Sequence, residues 1–370
     1  MAITAKDVKE LREKTGSGMM DCKKALVETD GNMEEAIEWL RKKGLSKAEK
    51  KADRIAAEGI VVVDVDADGK KAAIVEVNSE TDFVAKNEKF TSYVAEIAAQ
   101  AKVTTAKDID AFLAEPTLAD SSKSIEEKNK EMIAVIGENL KIRRFEQMES
   151  DGVIVSYIHA GGKIGVLVSA DTDAADNANV KQCLDMIAMQ IASMNPKFLQ
   201  RGDISADKIA NEREVIIDSA LNDPASLPKP ILNQLIDTAK NDKLWSDEDI
   251  AIYEEKKTNM NYLFNFLSPE AVQVLRDLAM KGKDEYLQNK IFNGLVEGRI
   301  SKRLKEICLL DQGYVFGEDS KQSVAKYIEE VAKAEGCSIK VTGFVRFETG
   351  EGIEKKNEDF AAEVAAQMQS

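Results

Sequence analysis

The chain has 370 residues, room for two or three folding units, and 44% of them are apolar, which places it among globular proteins. Aspartate and glutamate number 66 against 51 lysines and arginines, so the net charge of −15 opposes the long-range attraction on which general nucleic-acid binding depends. The single histidine, His159, excludes His-clustered metal sites, and Cys22, Cys183, Cys308 and Cys337 lie too far apart for a C-x-x-C zinc or redox motif.

The N-terminus, Met1 to Asp7, lacks the basic-then-apolar layout of a secretory signal, and no apolar run is long enough to span a bilayer, so a cytoplasmic protein with no membrane partner is expected. Thr4 is placed to cap a first helix, with Asp7 facing back and Ile3 stapled against Val8, before Gly16 and Gly18 break the pattern. A second helix from Met19 turns Cys22, Ala25 and Leu26 inward and stops at Asp30-Gly31. A third puts Met33, Ile37 and Leu40 on one face and stops at Gly44. Residues 1–45 thus read as a small helical domain, and 46–58, with mixed charges from Lys47 to Arg54, as a solvated linker.

Two similar β-hairpins follow. Gly59 to Val63 turns at Asp68-Gly69-Lys70 and returns through Ala73 to Val77; Gly152 to Val155 turns at Gly161-Gly162-Lys163 and returns through Val166 to Val168. Each leads to an amphipathic helix, carrying Phe90, Val94, Ile97 and Ala98 in one case and Cys183, Leu184, Ile187 and Ile191 in the other. The pattern predicts an α+β core duplicated within the chain, with subdomains at 59–140 and at 141–204 plus 309–347. Between them, Ser124 and Glu127 form a capping box for a helix with Met132, Ile133 and Ile136, and the extended run Ile142 to Phe145 is expected to lead into the second subdomain.

From Ser205 the pattern is helical, with Ile209, Val215 and Ile216 as its inner positions. Residues 205–308 are expected to form an inserted helical hairpin with an enlarged tip at 222–290, in which Ser268-Pro269 starts a helix bearing Val272, Leu275 and Leu278 and the stretch Ile291 to Cys308 returns antiparallel. A helix after Ser320 stops at Gly336, a strand spans Ile339 to Phe347, and a C-terminal module at 348–370 ends in a short helix with Phe360 and Val364.

Three segments resemble those of the elongation factor Ts family, in the family's order: Leu11-Arg12-Glu13-Lys14-Thr15-Gly16-Ser17-Gly18-Met19-Met20-Asp21-Cys22-Lys23-Lys24-Ala25-Leu26, then Thr81-Asp82-Phe83-Val84-Ala85-Lys86-Asn87, then Gly343 to Phe347 with Gly350 to Lys355. The resemblance covers nearly the whole chain. It implies a three-helix N-terminal domain like ubiquitin-associated folds, two related core subdomains, an inserted helical hairpin whose tip is short in most relatives, and a C-terminal module. It also implies a function: guanine nucleotide exchange on elongation factor Tu, in its GDP-bound and nucleotide-free forms, by dislodging Mg²⁺ without covalent chemistry and without a cofactor or metal of the factor's own. The hairpin is linked in the family to self-association, which stays open here.

Within that resemblance Thr81, Asp82, Phe83 and Val84 are the Mg²⁺-dislodging segment, and Arg12, Met19, Met20, Lys23 and His159 are further partner contacts. From spacing alone, Thr81-Asp82-Phe83-Val84 is also a plain strand-to-helix turn in which Thr81 or Asp82 caps and Phe83 enters the core. The second copy reads Thr172-Asp173-Ala174 at the aligned place, keeping the cap and losing the ring, which favours a partner role for Phe83. Arg12 and Lys23 also fit solvated charges, the methionines core filler, and His159 an idle turn residue. No P-loop or G-x-G-x-x-G lies in the context that nucleotide binding requires. Two rival functions remain at this level: an enzyme with Asp82 and His159 as acid and base, and an RNA-binding scaffold using Lys47 to Arg54.

Overall fold

The computed structural model describes residues 3–317 and 322–354, so Ser320, Phe360 and Val364 lie outside the described residues. Thr4 Oγ1 accepts the Asp7 amide at 3.3 Å and Asp7 returns the bond to the Thr4 amide at 2.9 Å, a complete capping box that starts α1 (Ala5–Thr15). Gly16, in the left-handed region, ends it. Helix α2 (Met19–Glu28) buries Cys22, Ala25 and Leu26. Helix α3 (Met33–Glu49), capped by Asn32, does not stop at Gly44 as its sequence suggested. Its buried row is Ala36, Leu40, Gly44 and Ala48, one residue per turn, which leaves Ile37 exposed. A Cβ at Gly44 would sit 3.0 Å from that of Ala134, so this glycine permits a close helix crossing and breaks nothing. Residues 46–58 are accordingly more than a solvated linker. Ala48 enters the neighbouring core, and Lys47 and Lys43 both bind Asp21, at 2.9 and 2.8 Å, holding its carboxyl below the ordinary range.

Strands β1 (Glu58–Val65), β2 (Lys71–Ser79) and β3 (Leu140–Glu149) make one antiparallel sheet in the order β1-β2-β3. Strands β4 (Val153–His159), β5 (Ile164–Thr172) and β6 (Ile339–Glu348) make a second in the order β4-β5-β6. The run 141–149, expected to open the second subdomain, therefore closes the first sheet by pairing with β2 from Ser79↔Leu140 to Lys71↔Glu149. The second sheet takes its third strand from far along the chain instead. The two sheets share details that periodicity does not carry. Each has a bulge at the same step, Glu76/Val77 in one and Ser169/Ala170 in the other. A Cβ at Gly59 would lie 2.2 Å from the Val77 carbonyl oxygen, and one at Gly152 2.0 Å from that of Ala170.

Between β2 and β3 lie α4 (Glu88–Val103), α5 (Ile109–Ala114) and α6 (Ile125–Ile136), the last started by the Ser124–Glu127 capping box. Helix α4 lies on the first sheet and α7 (Ala178–Met194) on the second. Their buried positions match one for one: Phe90, Tyr93, Val94, Ile97 and Ala98 answer to Val180, Cys183, Leu184, Ile187 and Ala188. The opposite faces of the sheets meet in a shared core of Val61, Ile74, Ile154, Leu167, Val345 and Phe347. Each hairpin turn also reaches the other sheet: the Val61 amide donates to Gly162 at 2.7 Å and the Ile154 amide to Gly69 at 2.8 Å. The fold class is α+β, with helix, sheet, sheet and helix in layers.

Residues 196–325 form a second compact unit, wider than the expected 205–308. Its ends close because the Lys197 and Phe198 amides donate to the Ile307 carbonyl and the Leu309 and Leu310 amides donate back to Phe198 and Leu199. Helix α8 (Ala206–Leu221), capped by Ser205, lies antiparallel to the long closing helix Lys290–Ile307, with Arg303–Glu212 at 3.4 Å and an Arg213–Glu297 pair between them. Its inner face is Ile217, Ala220 and Leu221, and Val215, expected inside, is exposed. The stretch 222–290 is a helical bundle whose Ile231, Leu235, Trp245, Leu263, Leu275 and Tyr286 share one core with Leu221 of α8 and Phe292 and Val296 of the closing helix. Ser268 caps the helix Pro269–Lys281 with proline at its first position, as its sequence required.

Replacing Gly59 or Gly152 by alanine should each cost about 1–3 kcal/mol in urea unfolding, since a methyl must displace backbone, whereas Gly294→Ala, on an open helix surface, should stabilise by about 0.5–1 kcal/mol.

Candidate functional site

Strand β2 ends at Ser79 and α4 begins at Glu88. The connection is held at its far end by Val84, 8% exposed and packed into the first core, and by a 3-10 turn in which the Lys86 and Asn87 amides donate to Phe83 and Val84. With Val84 turned in, the adjacent Phe83 turns out and is 79% exposed. An aromatic ring in water forfeits most of the free energy its burial could provide.

Neither Thr81 nor Asp82 caps α4, contrary to the plain turn reading. Asn87 does, accepting the Lys89 amide at 2.9 Å. Thr81 is instead bound through its amide at 2.9 Å and its hydroxyl at 2.7 Å to Glu138, and Asp82 is exposed, 3.9 Å from Lys86. The internal comparison also changes. Glu80 accepts the amide of Asn139, just before β3, at 2.6 Å, and Asp173 accepts the amide of Ser338, just before β6, at 2.8 Å. Asp173 is thus the counterpart of Glu80, and Thr172 that of Ser79. Asn177 caps α7 as Asn87 caps α4. From strand to cap the first copy runs Glu80 to Lys86 and the second only Asp173 to Asp176, so the first carries three extra residues. Phe83 lies within that addition, and Ala174 does not replace it.

The Phe83 loop borders an open groove of about 960 Å³, shared with the exposed Ile55, with Arg54 and Glu58, and with Lys163 from the second hairpin. Arg54 lies 3.6 Å from Glu80, and Lys163 pairs with Glu58. Lys51, its ammonium pushed below the ordinary value by burial, donates to the Gly137 carbonyl. Lys47, Lys51 and Arg54 are therefore engaged internally, which weakens the RNA-scaffold reading, and Lys50 is exposed.

The other expected contacts fall elsewhere. Arg12, Met19, Met20 and Lys23 are all exposed around the α1–α2 turn, Met20 at 75%, so neither methionine is core filler. Val27, exposed two turns beyond Met20, extends that apolar strip; its signal in the sequence was an apolar residue on the outer face of α2. His159 ends β4, exposed, its Nδ1 2.9 Å from the Tyr157 hydroxyl, while its counterpart Asp66 pairs with Lys102 at 2.6 Å. Asp82 borders the groove, His159 contacts Tyr157, and the two share no hydrogen bond among the described residues. Sequence reasoning missed Ile55, Val27 and Glu138. Among the described residues no three His, Cys, Asp or Glu side chains gather as a metal site, and no helix is long and apolar enough to cross a membrane.

The family model described as Elongation factor TS matches residues 80–351. Among curated proteins, the chain is 42% identical over 366 residues to Elongation factor Ts of Clostridioides difficile (strain 630), across 99% of both chains. It is 42% identical over 368 residues to that of Clostridium tetani, across 99% of this chain and all of the relative, and 42% identical over 371 residues to that of Nitratiruptor sp., across the whole of both. Alignments of that extent run through 222–290, so the long tip, read from the sequence as a departure, is shared with these relatives.

Neighbouring substitutions should behave oppositely in thermal and urea unfolding: Phe83→Ala should stay within about 0.5 kcal/mol of the parent, and Val84→Ala should lose about 1–2 kcal/mol.

Proposed function

The chain belongs to the elongation factor Ts family, and from that premise we propose that it is a guanine nucleotide exchange factor for elongation factor Tu, acting in the cytoplasm by protein binding alone. The observation that carries the proposal is the exposure of Phe83 on a loop addition that the second copy of the same fold does without.

In a GTPase, Mg²⁺ bridges the nucleotide phosphates to a P-loop hydroxyl and a carboxylate, so a side chain that shifts those ligands loosens metal and nucleotide together. Phe83 suits that task, with large apolar area and few rotatable bonds to freeze. Asp82 and Thr81 flank it, and Val84 anchors it. Arg12, Met19, Met20, Lys23 and His159 supply docking contacts at a distance from the wedge, where they strengthen binding without moving the metal. The factor binds the nucleotide-free GTPase more tightly than the GDP-bound form, and by linkage it weakens GDP by the same ratio. A layout of a ubiquitin-associated-like N-terminal domain, duplicated core, helical insertion and C-terminal module would serve this by presenting the docking surface and the wedge from one chain.

The test is release of a fluorescent GDP analogue from elongation factor Tu as the factor is titrated. Phe83→Ala should lower the saturating release rate about tenfold or more, the scale of a hot-spot residue, while Met20→Ala should mainly raise the concentration needed for half-maximal release. An unaltered rate with Phe83→Ala overturns the wedge.

A further inference from the structure

The three-residue addition that carries Phe83 comes with a change at a second place. Gly137, in the left-handed region, ends α6, and Glu138 and Asn139 lead into β3. In the second sheet the residues before β6 are Cys337 and Ser338. Asn139 and Ser338 do the same work, each donating its amide to the carboxylate at the end of the central strand. Glu138 has no such counterpart, because a cysteine stands there. Its two oxygens accept the amide and the hydroxyl of Thr81, at 2.9 and 2.7 Å, two residues before Phe83.

We propose that Glu138 is a positioning residue for nucleotide release: it fixes the backbone from which Phe83 projects, so that the ring meets the partner already oriented. The proposal rests on the reading of Phe83 as the wedge. Between Glu80, tied to Asn139, and Val84, sunk in the core, Thr81 is the one residue whose amide and hydroxyl are both held by a carboxylate. The platform beneath is itself braced, since Asn139 Nδ2 donates to the Arg54 carbonyl at 2.8 Å and Lys51 donates to the Gly137 carbonyl. Ordering an exposed loop before encounter removes that entropy from the binding step, and a wedge that must displace metal ligands needs a fixed direction. Glutamine keeps the shape but loses the charge: its oxygen can accept the Thr81 amide and its Nε2 can donate to the Thr81 hydroxyl oxygen, as two neutral bonds in place of two charge-assisted ones.

The experiment uses the full chain with elongation factor Tu carrying a fluorescent GDP analogue, comparing the parent, Glu138→Gln, Phe83→Ala and the double variant. Loss of a charge-assisted bond should lower the saturating release rate of Glu138→Gln about fivefold to tenfold, with a smaller change in the half-saturating concentration. In the Phe83→Ala background the same substitution should change the rate less than about twofold, because Glu138 acts through the ring. Amide exchange in the free factor should quicken over residues 80–86 and stay unchanged over α4 (Glu88–Val103). An unaltered rate for Glu138→Gln, or the same fold loss with and without Phe83, overturns the proposal. If Phe83→Ala by itself leaves release unchanged, the wedge reading fails first and this one falls with it. Thr81→Val, which removes the hydroxyl bond from the other side, is read by the same criteria should Glu138→Gln not fold.

Discussion

The exchange of hydrogen bonds between the two hairpin turns, Val61 to Gly162 and Ile154 to Gly69, is the constraint on which the rest of the core depends. Each bond contributes only about 1 kcal/mol net, but together they fix how one sheet lies on the other. A strand slipped by one residue would turn its whole apolar set to the wrong face, so the register set by these turns decides whether Ile74, Ile154, Leu167 and Phe347 share a core at all. Glycines are required there because the turns approach foreign backbone and side chain closely: a Cβ at Gly162 would come within 3.2 Å of the Val61 carbonyl oxygen. Buried Glu76 adds a second tie. It accepts from Arg143 at 2.9 Å, Arg144 at 2.6 Å and Asn78 at 3.0 Å, and from the Gly350 amide at 2.7 Å, fastening the turn after β6 to the first sheet. A carboxylate so enclosed is tolerable only because donors surround it. The Gly350-Glu351-Gly352 motif thereby finds its use in the fold.

Duplication on such a frame lets one copy diverge while the other shows what the fold itself needs. Where the first sheet has Glu76 opposite a bulge holding Arg143 and Arg144, the second has Ser169 opposite Thr342 and Gly343, joined by a hydroxyl bond of 2.9 Å. The bulge is architecture and the charge is a local choice. The same logic separates Glu80 and Asp173, which both close a sheet, from Thr81 to Phe83, which close nothing. An aromatic ring left in water by a segment that the second copy omits stands outside the packing problem, and the partner surface we propose for it would supply the reason.

The helical unit 196–325 answers a different question. Its core of Trp245, Tyr286, Phe292 and the leucines around them is large enough to hold together without borrowing from the sheets, and Trp245 Nε1 donates to the Ala271 carbonyl at 3.0 Å within it. A long insertion is tolerated in the middle of a sheet because its ends meet, at 197–199 and 307–310, so that β6 can reach β5 as though little intervened.

By itself the amino-acid sequence determined what short-range rules can reach. The caps at Thr4, Ser124 and Ser268, the two hairpins, the faces of α2, α4 and α7, the α+β class and the family motifs were all legible, because a cap spans three residues and a helix face four. Tertiary structure alone decided the rest. Gly44 reads as a stop until Ala134 is seen beside it, 141–149 reads as a beginning until β2 is seen to lack an outer strand, and Thr81 reads as a cap until Glu138 is found beneath it. Each turns on a partner at least 57 positions away, about as far as a whole subdomain, and burial is set by what the folded chain brings to a site. For that reason Phe83 could be suspected from its sequence, but its exposure could only be seen once the core had closed around Val84 and left the ring outside.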